Sequence, residues 1–505
     1  MNQLKAGAVL NYIIILLNTL VGLLYTPFML HTMGQSEYGL YSLVASVISY
    51  LTILDLGFGN AVIRYTAKFR AEGKQSEQYE MFGMFFILYM IIGIVALCAG
   101  AVLYLNIDTL FGNTMSSVEL DKARIMMLLL VFNLAFTFPM SIFGSIITAY
   151  EKFVFPRILN IARILLNTVV MVCLLKMGYK AIAMVVVQTV FNVLTLFLNY
   201  LYCKKVLQIK LYFRRFQWGF LREIAIYSFW VFLNVIMDKV YWNTGQFVLG
   251  ALIGTSAVAV FAIAIQLQNL YMQFSSAIST VFLPKVTNII TLGNDHRVVS
   301  DLFIRTGRIQ CVVMALVLSG FIVFGRQFII LWAGPEYEEA YFICLLFFSS
   351  LIIPLIQNLG ITILQARNQM KFRSLLYVGI AAIALICQVV FARKWGAIGC
   401  AISVSCALLI GQGLIMNIYY SRKQHIDIVR FWKEILKMSI VPLFMAIAAS
   451  LLVRNVEVNN WIKWISAISI YLLAYIPIFW KFSMNSSERE LFREPFRKLF
   501  RKIKC

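Results

Sequence analysis

An acid and a base stand side by side, Asp238 and Lys239, near the middle of the apolar run YSFWVFLNVIMDKVYWNTGQFVLG (227–250). In hydrocarbon each charge costs roughly 2.5–3.5 kcal/mol on insertion scales, so both must face protein or water. Asn234, Asp238, Tyr241 and Gly245 are spaced four, three and four, which places them on one stripe of a helix. Asn11, Asn18 and Tyr25 form a second stripe at spacing seven. Gln266, Asn269 and Gln273 form a third, at spacings of three and four. Cations offset an anionic ligand, and amides and phenols hydrogen-bond hydroxyl groups. Asp238 suits anion binding poorly. It either holds Lys239 in place or takes a coupling proton or sodium ion. The plainer alternative is a structural ion pair with interhelical polar contacts worth about 0.6 kcal/mol each. Arg163, two turns into another apolar run, contacts an anionic group or snorkels to the interface, and snorkelling is the plainer of the two. Asp55 and Arg64 bracket one end of a span within LDLGFGNAVIRY and read as a gate-closing or structural contact.

Enzyme chemistry finds little support. His31, His296 and His425 stand apart in loops, and G-x-x-x-x-G-K-[ST], H-E-x-x-H and G-x-S-x-G are all missing. The nine cysteines have no C-x-x-C spacing and mostly lie within apolar runs. No catalytic residue, metal, disulfide or cofactor is expected, apart from a coupling ion.

The elements that must position these stripes are membrane helices. The chain has 505 residues, 61% hydrophobic and 13% charged, against roughly 25% charged in soluble domains. Non-alternating apolar runs recur from end to end, which favours spanning helices over a barrel. About fourteen are expected, near 5–31, 38–62, 82–105, 125–149, 154–176, 181–203, 223–250, 255–283, 309–332, 340–365, 372–392, 396–420, 435–453 and 461–480. The net charge of +22 is distributed as an orientation signal, not a nucleic-acid footprint: 34 of the 44 Lys and Arg fall on one side of these spans. That side holds both termini and is assigned to the cytoplasm. The tail from Lys481 reads as a basic amphipathic segment suited to anionic lipid.

The chain also repeats. MGQSEYGLYSLV (33–44) parallels IGTSAVAVFAIA (253–264), with Gly34 matching Gly254 and Gly39 matching Ala259. Gly178 matches Gly396, Asn199 matches Asn417, Tyr202 matches Tyr420 and Phe155 matches Phe372, all at nearly one offset. The fold is therefore expected to be all-α and membrane-embedded. It has a first six-helix lobe (1–205), a basic cytoplasmic linker (206–222), a second lobe (223–424), an extra helical pair (425–480) and a basic cytoplasmic tail (481–505). Six is even, so the lobes are parallel repeats, a transporter pattern with its site between the repeats near the midplane.

TPFML closing the first span, MGQSEYGLYSL after it and LDLGFGNAVIRY closing the second resemble the polysaccharide-biosynthesis, O-antigen-flippase branch of the multidrug/oligosaccharidyl-lipid/polysaccharide exporter superfamily. The resemblance is strongest over residues 4–75 and weakens after about 430. It implies a two-lobed alternating-access transporter in the bacterial cytoplasmic membrane. Its substrate would be a polyprenyl-diphosphate-linked glycan, carried to the outer leaflet, with Arg163 or Lys239 toward the diphosphate. Other polysaccharide-assembly membrane proteins are implied partners. The competing expectations are a cation-coupled multidrug exporter, disfavoured by the asparagines in the first span and by the extra pair, and a membrane glycan polymerase, disfavoured by the lack of a large basic outer loop.

Overall fold

The computed structural model describes residues 3–213, 219, 221, 232–233, 235–292, 296–367, 369–454, 460–490 and 493. The helices are α1 (Gln3–Met33), α2 (Gln35–Leu51), α3 (Phe58–Ala71), α4 (Gln75–Leu105), α5 (Ile107–Phe111), α6 (Ser117–Ala149), α7 (Val154–Lys176), α8 (Ala181–Lys205) and α9 (Thr244–Leu252). They continue as α10 (Thr255–Leu292), α11 (His296–Trp332), α12 (Glu339–Ile356), α13 (Leu359–Ala366), α14 (Met370–Leu408), α15 (Met416–Arg422), α16 (Ile428–Val453) and α17 (Trp461–Phe482). With no water to bond an open backbone, these apolar segments satisfy their own N–H and C=O groups as helix.

Among the described residues twelve segments are long and apolar enough to cross a membrane. One of them, 370–422, contains two of the expected spans, because Trp395 and Gly396 leave helical geometry between them. The expected seventh span, 223–250, lies partly outside the described residues. About fourteen spans is therefore consistent with the fold. Two of the expected spans are interrupted. The second span was expected to run unbroken over 38–62. It stops at Leu51, turns through a 3-10 segment at Thr52–Asp55, and resumes as α3. Leu56 and Gly57 take the left-handed region at the break, with φ of 52° and 73°, a conformation that glycine adopts without steric cost. The tenth expected span, 340–365, is likewise interrupted at Gln357 and Asn358.

The repeat is visible in the backbone. Gly34 and Gly254 both have positive φ in the turns before α2 and α10, and Gly178 and Gly396 do so at their matched positions. Phe155 stacks on Tyr202 with ring centroids 4.0 Å apart, and Phe372 on Tyr419 at 4.2 Å. Tyr419, not Tyr420, is therefore the counterpart of Tyr202. Tyr420 is buried against Phe303.

Contacts divide the chain into two units, 1–262 with 385–400 and 263–384 with 401–505. In the first, α4 and α8 pack along α6, and α7 packs along α1. A seam joins α2, α6 and the start of α10. The Ser36 hydroxyl donates to Glu119 at 2.5 Å and Thr255 donates to the same oxygen at 2.9 Å. Glu119 also closes a capping box with Ser116, which satisfies two orphan N–H groups at the start of α6. The helices meet so closely that a Cβ at Gly39 would run into the Thr255 carbonyl.

In the second unit α11 packs against α12, α16 and α17. Arg308 is buried there: its Nε and Nη2 donate to Glu488 at 2.6 and 3.0 Å, and Nη1 donates to Glu434 at 3.0 Å. The start of the tail, Asn485 to Arg489, thus folds back onto α11. His296 and His425, expected to stand alone, meet with ring centroids 5.0 Å apart. His31 lies in the last turn of α1, not in a loop.

Candidate functional site

The first lobe encloses a polar cavity of about 420 Å³. Five helices line it, each with one face. α1 contributes Asn18, Val21 and Tyr25, and α2 contributes Tyr41. α6 contributes Asn133, α7 contributes Arg163, Asn167 and Thr168, and α8 contributes Gln188 and Asn192. The repeated spacings of four, Arg163 to Asn167 and Gln188 to Asn192, bring those pairs onto single faces. The helices are otherwise apolar, so these polar residues gather inward.

Part of this lining is tied together. The Tyr41 hydroxyl donates to Gln188 Oε1 at 3.1 Å. Asn192 Nδ2 donates to Asn133 Oδ1 at 2.7 Å and to the Thr137 hydroxyl at 2.8 Å. Other groups remain open: the Tyr25 hydroxyl and Asn167 Oδ1 are buried without a hydrogen-bond partner among the described residues. Such groups cost about 1–3 kcal/mol each when nothing answers them. Arg163 is half-buried on the same wall. No carboxylate among the described residues lies within 4 Å of its guanidinium. The cavity thus offers one planar cation with five N–H donors, surrounded by amides and phenols. That set can hold an anion and hydroxyl groups. It supplies no nucleophile beside a base, and no group of three or more metal-ligating side chains occurs among the described residues.

The sequence expectations are only partly gathered here. Asn18, Tyr25 and Arg163 line the cavity. Asn11 is half-buried two turns earlier on α1 and does not. Asp238 is exposed, Lys239 half-buried and Tyr241 buried on the helix leading to α9, and none of the three lines the cavity. Asn234 lies outside the described residues. Gln266 is half-buried and Asn269 and Gln273 are exposed, on the face of α10 opposite buried Gln268, Tyr271 and Ser275. Asp55 is half-buried at the α2–α3 break beside Tyr89, and Arg64 is exposed on α3. Tyr41, Asn133, Asn167, Gln188 and Asn192 also line the cavity, and the sequence alone does not single them out. Their signal was an amide or phenol within an apolar span, often with a second polar residue four positions away.

Comparison with known proteins agrees with this architecture. A family model described as polysaccharide biosynthesis protein matches residues 4–290. An uncharacterized membrane protein of Bacillus subtilis (strain 168), EpsK, is 18% identical over 97% of both chains. Among solved structures, the lipid II flippase MurJ in an inward closed conformation superposes with a TM-score of 0.72 at 17% identity, covering 94% of this chain and 97% of that one. An inward-facing multidrug-resistance transporter of the MATE family gives 0.60 at 13% identity, over 82% and 99%. The two solved structures are a flippase and a transporter, in keeping with a chain that is not an enzyme. The chain shares its fold with both solved structures. With its family match spanning more than half of its residues, the chain belongs to the polysaccharide biosynthesis protein family.

Proposed function

We propose that this protein moves a polyprenyl-diphosphate-linked oligosaccharide from the cytoplasmic to the outer leaflet of a bacterial cytoplasmic membrane, by alternating access, for surface polysaccharide assembly. The observation that carries this reading is Arg163, a membrane-depth cation without a carboxylate within 4 Å among the described residues, in a cavity of amides and phenols. A charge placed there at a cost of several kcal/mol is expected to serve an anionic group that arrives and leaves. Arg163 takes the diphosphate, and Asn18, Asn167 and Gln188 take sugar hydroxyls. The charge asymmetry of the loops supports cytoplasmic termini, with loading from the basic side.

The test is the lipid-linked glycan pool in cells lacking the gene, with leaflet location read by a membrane-impermeant glycosidase. Intact glycan-diphosphate-lipid accumulating on the cytoplasmic side, with surface glycan restored by the gene, is the expected result. An unchanged pool with increased drug sensitivity would replace this reading with multidrug export. Units that reach the outer leaflet but fail to polymerise would replace it with a polymerase.

A further inference from the structure

A second basic site lies in the second unit, where α14 begins and α15 ends. Lys371 and Lys423 stand at those two ends on the rim of a cavity of about 500 Å³. Both are exposed, and neither has a carboxylate within 4 Å among the described residues. Beneath them Phe372 and Tyr419 stack with an interplanar angle of 7°. The wall is a fixed amide: Gln424 Nε2 donates to Gln369 Oε1 at 2.6 Å, while Arg367 donates to Gln424 Oε1 at 2.8 Å and to its carbonyl at 3.0 Å. Gln424 is only 1% exposed, so this wall does not depend on a loose surface side chain.

Farther along α14 the surface changes character. Leu375 and Val378, four and seven residues beyond Lys371 and so on its face of the helix, are exposed. Two ammonium groups therefore stand at the end of an apolar strip along a membrane-spanning helix. A compact ammonium is a hydrated point charge that suits phosphate without demanding a planar partner. Basic pockets between spanning helices at the membrane interface fit lipid headgroups.

We propose that this cavity binds the headgroup phosphodiester of an anionic phospholipid, with Lys371 and Lys423 on the phosphate and the acyl chains along Leu375 and Val378. A free phosphate would use the same two ammonium groups but nothing of the apolar strip. The site is separate from the Arg163 cavity and does not depend on which glycan is carried.

The test uses the purified full-length chain in neutral detergent. Phosphatidylglycerol and phosphatidylcholine are titrated separately, with bound lipid counted by native mass spectrometry and thermal protection measured in parallel. Wild type should prefer phosphatidylglycerol. Lys371→Gln with Lys423→Gln should lose about thirtyfold of that affinity, about fivefold for each ammonium. Lys152→Gln with Lys205→Gln, near the matching end of the first lobe, should retain it. Equal binding of the two lipids by wild type would overturn the proposal without any variant. So would an equal loss in the Lys152/Lys205 control. Inorganic phosphate protecting as well as phosphatidylglycerol would reassign the site to a soluble anion.

Discussion

The two lobes share a helix plan and differ inside it. The matching turns at Gly178 and Gly396 and the matching ring stacks put equivalent positions about 217 residues apart. At that offset Arg163 corresponds to Ile380, Asn167 to Ala384, Asn133 to Ser350 and Gln188 to Ser405. Ile380 and Ala384 are 8% and 2% exposed, and the Ser350 hydroxyl donates to Ser405 at 3.3 Å. Where these positions of the first lobe line a polar cavity, their counterparts in the second are small or aliphatic. The helix plan therefore does not require the polar cavity, and the ligand binding proposed above accounts for its amides and cation. The second unit has its own buried arginine, but Arg308 is held by two carboxylates and by the Ser483 carbonyl at 3.1 Å. One arginine is enclosed by carboxylates, and the other has none within 4 Å among the described residues.

This contrast is broken most severely at Arg308. Arg308→Ala leaves Glu488, whose side chain is 2% exposed, as an uncompensated buried charge, which costs roughly 3–5 kcal/mol. We expect a large fall in the thermal unfolding midpoint in detergent and poor accumulation in membranes. An unchanged midpoint would mean that the tail is not fastened at this point. Arg163→Ala should do the reverse. It removes a charge with no carboxylate partner among the described residues, so the midpoint should hold or rise, while glycan export falls by at least about tenfold, the factor expected when about 1.5–3 kcal/mol of charge-assisted hydrogen bonding is lost. Arg163→Lys should keep part of the export, since the charge remains but the planar fork does not. Wild-type export by a well-expressed Arg163→Ala variant would remove the cavity from the transport path.

The span plan, the duplication and the special glycines were readable in the sequence because each is a local or periodic signal. Apolar length announces a span, and a glycine at a repeat offset announces a shared turn. The cavity was half readable. Asn18 and Tyr25 lie on one helix at a regular spacing, and an arginine in an apolar run draws notice. Asn133 and Asn192 were not readable as a pair, because a lone amide in an apolar helix does not say which neighbouring helix it faces. Their hydrogen bond joins α6 to α8 across 59 residues. The Arg308–Glu488 pair spans 180 residues and enters a tail whose basic composition hid this buried acid. Asp238 and Lys239 drew notice because charges in a span are costly, yet cost alone does not say which surface relieves them.

The smallest expected effect bears on the plan the lobes share. Tyr202→Leu and Tyr419→Leu each remove one of the two equivalent ring stacks, and such pairs are worth about 0.5–1.5 kcal/mol beyond their buried area. If the duplication is structural at these positions, both variants should lower the unfolding midpoint by similar small amounts. Phosphatidylglycerol should narrow the loss only for Tyr419→Leu, because its stack floors the basic cavity of the second unit. The Tyr202 stack has a cation at the same end of its span in Lys205 but none corresponding to Lys371, where Val154 stands. Equal narrowing in both variants would place the lipid effect on the bilayer-facing surface at large. A difference confined to Tyr419→Leu would tie it to a lysine pair of which the first lobe lacks the Lys371 member.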